Sequence, residues 1–303
     1  MLLIRNGLIH TMTDAGTFRG DILIEDGKIH RVSGKIDENE LTRHQVMEAE
    51  GLQVCPGLID AHMHLIQSSD DAQRSLDALC DDALASGVTT QALWPETSGL
   101  CILRHGRDDA KTKQPMHSIQ PDGMTDAQLL AKMAEITQQG QRVACEVDGQ
   151  KTLIRLLQMQ RQTAAKLVFV HLNGCEDYVE EIAASGAEVI LGSSTLRSGL
   201  GGYAMALKLH LAGVNIALTA DYPATRMHHL PLCASLCVRA GMAHHAALRT
   251  ITLDAARLLG VDDVCGSIEE GKRADLTIFD GDPMLLVTGR VMSMSGGRIL
   301  KES

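Results

Sequence analysis

The sequence predicts an α/β protein in which βαβ units build a parallel sheet and both ends of the chain supply a smaller β-rich unit. Three observations predict it. Short apolar strands alternate with helical stretches through the middle, the two ends read as strands and turns, and 303 residues with 45% hydrophobic content can bury one large core. A single α/β barrel commonly reaches this size.

The elements follow in order. Leu2-Leu3-Ile4, Gly7-Leu8-Ile9 and Asp21-Ile22-Leu23-Ile24 read as strands. Glu25-Asp26-Gly27-Lys28 reads as a turn into Ile29-His30-Arg31-Val32, with Gly27 supplying positive φ. Further strands are expected at 57–62, 88–94, 100–104, 142–147, 167–171, 187–192 and 214–219. Helices are expected at 70–86, 125–139, 151–163, 176–185, 203–212, 230–240 and 244–259. Thr125 and the pair Glu176-Asp177 mark helix starts, while Gly87, Gly140, Gly186 and Gly213 mark helix stops. Seven strands are one short of a closed eightfold barrel. Residues 105–123, polar and carrying Pro115 and Pro121, read as a loop in which a strand is lost or disguised. At the C-terminus Ala274-Asp275-Leu276-Thr277-Ile278-Phe279 is a strand, and Val291-Met292-Ser293-Met294 turns through Gly296-Gly297 into Arg298-Ile299-Leu300. Neither end has enough strands to bury a face alone, so the two are expected to share one β-sandwich. That divides the chain into 1–53 and 266–303 for the sandwich and 54–265 for the barrel.

Composition narrows the function. Aromatic residues make up only 2% of the chain, so aliphatic side chains and Met must fill the core, and the stacking platforms of single-strand binders are missing. A formal net charge of −10 opposes nucleic acid and anionic membranes as partners. No apolar run approaches the roughly 18 residues that span a bilayer. The eight cysteines include no CxxC pair, and Cys55, Cys145, Cys175 and Cys233 sit in apolar settings. With charge met at once in Met1-Leu2-Leu3-Ile4-Arg5, a reducing, cytoplasmic location is expected.

Pro56-Gly57-Leu58-Ile59-Asp60-Ala61-His62-Met63-His64 carries the most chemistry. Side chains two apart on a strand point the same way, so His62 and His64 project side by side, with Asp60 on the same face. Two neutral imidazoles that close suit a divalent cation. Parallel-sheet enzymes collect function at the C-terminal ends of strands. Those ends supply Glu96, Glu146, Asp148, His171 and Asp221 as well. His171 closes an apolar strand, where a single histidine is ordinarily just a satisfied polar group; the paired histidines at the same end turn it into a ligand candidate. Asp221 can cap the next helix or, near a cation, bind metal and accept a proton. Glu146 at a strand end calls for an ion-pair partner or a metal. Asp148 can pair with Lys151. His228-His229 reads either as a mouth that holds substrate or as a solvated turn, and His244-His245 as surface.

These positions resemble the amidohydrolase superfamily, over nearly the whole chain. The likeness rests on Asp26-Gly27-Lys28-Ile29, on Pro56 to His64, on Ser86-Gly87-Val88-Thr89-Thr90, on Thr219-Ala220-Asp221 to Leu230-Pro231-Leu232-Cys233, and on Gly266 to Leu276. The imidazolonepropionase-like branch is the nearest in pattern. The resemblance implies a distorted (β/α)8 TIM-type barrel with one or two divalent ions, usually zinc. It implies His62 and His64 as ligands from the first strand, His171 from a later strand, and Asp221 as a ligand that also moves protons. It also implies a small-molecule substrate and, as a family habit, a homodimer. The chain departs from the pattern where relatives carry a histidine before His171, since it has Glu146 there. The strand that often carries a carboxylated lysine has no counterpart, Lys111 and Lys113 lying in the polar loop. A single metal, or a pair bridged by Glu146, fits better than a lysine-bridged centre.

The expected reaction is hydrolysis of a non-peptide C–N bond in a cyclic amide, an N-acyl compound or an amidine-like ring. Metal-activated water attacks, Asp221 carries the proton, and the cation with His228 stabilises the oxyanion. Two other readings stay open: a heterocycle deaminase on the same metal site, and a degenerate barrel that only binds.

Overall fold

The computed structural model describes residues 1–41, 43–64, 72–94, 101–104, 108–109, 112–192, 201–285 and 291–302. Both ends of the chain meet in one sheet. Strand Gln53–Pro56 pairs in parallel with Leu2–His10 on one side and antiparallel with Leu276–Phe279 on the other. Val291–Ser295 and Arg298–Glu302 continue the sheet at one edge, and Thr17–Glu25 and Lys28–Ser33 at the other. Its apolar face buries Ile4, Ile9, Ile22, Val54, Leu276 and Ile278, an aliphatic core as a sequence this poor in aromatics requires. Gly27 takes φ +78° at the hairpin between its strands, next to Asp26 at φ +48°. Two successive positive φ values match the right-handed twist of the flanking strands.

The middle of the chain forms a parallel sheet of five strands, in the order Met116–Ile119, Arg142–Asp148, Leu167–Asn173, Glu188–Leu191, Ile216–Leu218. Its strands are apolar on both faces, as expected when helices cover a parallel sheet. Val143, Cys145, Leu167 and Phe169 pack toward the helices, and Ala144, Val168, Val170 and Ile190 fill a second cluster on the opposite face. Helix Asp126–Gln138 begins at Thr125 with a full capping box: the Thr125 hydroxyl accepts from the Gln128 amide at 3.3 Å and Gln128 Oε1 accepts from the Thr125 amide at 2.9 Å.

Three expectations are corrected. The strand at 100–104 exists as Cys101–Arg104 but runs antiparallel to Val88–Leu93, because the short connection between them cannot house a parallel crossover. The strand disguised in the polar segment 105–123 is found as Met116–Ile119, first in the five-stranded sheet, as the sequence allowed. The helix expected at 244–259 is two, His244–Thr250 and Leu253–Leu259, broken at Thr252. The helix expected from 176 begins at Val179, so Glu180 and Glu181, not Glu176 and Asp177, occupy its first turn.

A third sheet, of four strands, carries Leu58–Met63 beside Val88–Leu93. Among the described residues it meets the five-stranded sheet through the Met63–Tyr222 bridge and the His64 amide donating to Tyr222 O at 2.9 Å. That seam brings the C-terminal end of Leu58–Met63 next to the residues that follow Ile216–Leu218.

Candidate metal centre

The strand ends converge. His62 and His64 leave Leu58–Met63 on one face, ring centroids 4.7 Å apart and edge-on. Glu146 arrives from Arg142–Asp148, His171 from Leu167–Asn173, and Asp221 from just beyond Ile216–Leu218. His62 lies between the two carboxylates, with Nδ1 at 3.3 Å from Asp221 Oδ1 and Nε2 at 3.6 Å from Glu146 Oε1. His64 Nε2 stands 3.2 Å from Glu146 Oε1, and His171 Nε2 stands 3.7 Å from Asp221 Oδ1. One ligand atom each from His62, Glu146 and His171 fall within 4.8 Å of one another. Ligands held tetrahedrally at about 2.1 Å from a cation stand about 3.4 Å apart, close to these separations.

Local backbone serves the cluster. His171, Leu172 and Asp221 take φ of +73°, +58° and +61°, conformations that cost non-glycine residues free energy and persist where surrounding structure enforces them. The register slips between Glu146 and Asp148 beside this bend. Gly192 makes room for the His171 ring: a Cβ there would lie 3.0 Å from His171 Nδ1.

The electrostatics of the cluster turn on His62. His62 is fully buried, and neither ring nitrogen makes a hydrogen bond of sound geometry among the described residues; the same holds for Nδ1 of His171. Buried polar atoms are ordinarily satisfied. His64 Nδ1–H donates to the Trp94 carbonyl at 3.0 Å, which leaves its Nε2 facing a carboxylate oxygen. The His62 ring first and the His64 ring second hold the Glu146 carboxyl well below the usual carboxylate range. Burial opposes a charged His62, yet Asp221 and Glu146 on either side outweigh it and raise its pKa. Burial lowers the pKa of His171. Imidazole nitrogens and carboxylate oxygens in one pocket form the donor set of zinc and related ions, so the residues present fit such a group.

The structure thus brings together His62, His64, Glu146, His171 and Asp221. It does not bring in His228, which is exposed in the turn Met227–His229 with its ring against His229, centroids 4.4 Å apart. Glu96 and Lys111 lie outside the described residues. Lys113 pairs with Asp263 at 2.8 Å, and Asp148 accepts from the Asn173 side-chain amide at 3.4 Å. His244 is half-buried and pairs with Asp282 at 2.9 Å. Sequence reasoning placed Asp60 on the right face but missed its partner. Asp60 and Thr219 are both fully buried, and the Thr219 hydroxyl donates to the Asp60 carboxylate. Burial raises the Asp60 pKa to about 6.

Comparison with known proteins places these features in context. The amidohydrolase family model matches residues 163–301. A dihydroorotase from Ruminiclostridium cellulolyticum is 37% identical over 97 residues, 32% of this chain; the chain spans only 22% of that protein's length. An imidazolonepropionase from Treponema denticola is 24% identical, covering 87% of this chain and 86% of that protein. An amidohydrolase crystal structure from Thermotoga maritima superposes over 100% of both chains with a TM-score of 0.83 at 18% identity, a likeness of fold.

Proposed function

We propose that this chain, whose residues 163–301 match the amidohydrolase family model, is a metal-dependent hydrolase of a non-peptide C–N bond in a cyclic amide or N-acyl small molecule. One observation carries the reading: side chains from four separate strand ends meet around His62, whose buried ring nitrogens lack hydrogen-bond partners among the described residues. In this reading residues 54–265 are a (β/α)8-type barrel short of one strand, and 1–53 with 266–303 are its sandwich. The Met63–Tyr222 bridge supports that closure. The proposed setting is cytoplasmic; among the described residues no helix is long and apolar enough to cross a membrane.

His62, His64, Glu146, His171 and Asp221 would hold the ion, taken here as zinc, alone or as a pair. Bound there, it would supply Lewis acidity and a water of lowered pKa. Asp221 stands at the rim of the cluster with its side chain only 10% exposed, where a carboxylate can take a proton from the attacking water and deliver it to the leaving nitrogen. Glu146, kept ionised by the two imidazoles, serves as a fixed negative charge. His228 lies apart from this cluster, and its expected share in oxyanion stabilisation rests on sequence position alone.

The test is elemental analysis together with turnover on dihydropyrimidine, hydantoin, lactam and N-acyl substrates, with ammonia release followed in parallel. Stoichiometric metal and ring opening without ammonia are expected. Asp221→Asn should reduce turnover by about 10³-fold or more while metal stays measurable. Ammonia release would favour the deaminase reading, and a protein without metal or turnover the degenerate one.

A further inference from the structure

We infer that the buried Asp60–Thr219 pair is the device that sets the candidate ligands His62 and Asp221 against each other, with Thr219 as a positioning residue. The inference rests on the metal reading above.

The seam between Leu58–Met63 and the strand Ile216–Leu218 is thin in main-chain terms. Among the described residues it has the Met63–Tyr222 bridge and the His64 amide bond to Tyr222 O. Side chains take over below it. The Thr219 hydroxyl donates to Asp60 Oδ1 and also lies within reach of the His62 carbonyl oxygen, and its oxygen accepts from the Asp221 amide at 2.8 Å. Asp60 in turn accepts from the His62 amide at 3.3 Å and the Ala220 amide at 3.2 Å. The Thr219 amide donates to Leu191 O at 3.0 Å, so the residue is also fixed to the neighbouring strand.

Each bond has a consequence at the cluster. The Asp221 amide is held while its φ sits at +61°, a region that residues other than glycine enter at some cost. His62 is held through its amide by Asp60, which the Thr219 hydroxyl in turn holds. Thr219, β-branched and stiff at χ1, presents one oxygen to both segments at once. Removing that oxygen leaves the Asp60 carboxylate short of a donor in a fully buried place and frees Asp221 to relax. Groups behind ligands typically tune metal affinity 10–100-fold.

The experiment uses the full-length metal-free protein and zinc alone, titrated against a chromophoric chelator. Wild type should bind zinc, Thr219→Val should bind it about 10–100-fold more weakly, and Thr219→Ser should stay within about threefold of wild type. Val keeps the branched shape without the hydroxyl and Ser keeps the hydroxyl without the methyl, so a packing role predicts the reverse order. Should Thr219→Val fail to fold, Thr219→Ser against Thr219→Ala isolates the hydroxyl in the same assay. Equal affinity for the Val variant and wild type, or a Ser variant as weak as Val, overturns the inference while leaving the metal reading intact. A wild-type protein that takes up no zinc overturns the metal reading itself, and this inference with it.

Discussion

The two ends of the central parallel sheet both bury charge, and they treat it differently. At the N-terminal ends, Arg142 opens one strand and Glu188 another. The Arg142 guanidinium donates to Glu188 and to the carbonyls of Gln114 and Leu258, and the second Glu188 oxygen accepts from the Asn215 amide at 2.6 Å. At the C-terminal ends, His62, Glu146, His171 and Asp221 approach to 3.3–3.7 Å while the buried nitrogens of His62 go without a hydrogen bond among the described residues. One network pairs a cation with an anion and ties strands together, though Arg142 Nε makes no hydrogen bond among the described residues. The other gathers three imidazoles and two carboxylates from separate strand ends, the kind of titratable cluster found at functional sites. The contrast follows the general division of such sheets into a stabilising end and a reactive one.

The sharpest test of that contrast is Glu146→Gln. It replaces the oxygen nearest both His62 and His64 with a neutral amide of the same size. Turnover should fall by about 10³-fold or more, with metal content reduced in the purified protein, because a ligand charge is lost. The melting temperature of the metal-free protein should move little. A variant with normal metal and activity would remove Glu146 from the centre.

At the other end the expected loss is in stability. Arg142→Met strips the counter-charge from Glu188, whose side chain is 25% exposed, and should cost about 3 kcal/mol in urea unfolding. Zinc affinity of the folded protein should be unchanged. If Arg142→Met instead weakened metal binding as much as Glu146→Gln does, the two ends would not be functionally distinct.

The paired histidines were legible because strand side chains repeat every two residues, which puts both rings on one face; their 4.7 Å separation depends on side-chain rotamers as well. His171, Glu146 and Asp221 were legible as polar residues closing apolar strands. Their mutual distances were not, since strand order and register decide them. The strand Met116–Ile119 stayed hidden because its buried residues are its two ends, with the half-buried His117 and Ser118 between, so no alternation marks it. The Asp60–Thr219 contact joins residues 159 apart in the chain, and nothing local to either announces it. Gly192 was equally silent, because its meaning lies in the side chains of two other strands.

Gly192 yields the smallest effect and the finest distinction. A Cβ at this position would lie 2.9 Å from Thr219 Cγ2 and 3.0 Å from His171 Nδ1, neighbours that are themselves packed. Gly192 has no left-handed φ to lose, so Gly192→Ala acts through crowding alone. Overpacking of this kind should cost about 1–2 kcal/mol in unfolding free energy. It should also push His171 off its line to Asp221 and weaken zinc binding several-fold, whereas Arg142→Met costs more stability and leaves zinc binding untouched. Unfolding curves and zinc titrations on the two variants therefore cross. A Gly192→Ala protein that binds zinc like wild type would show that the place of His171 is not set by the wall behind it.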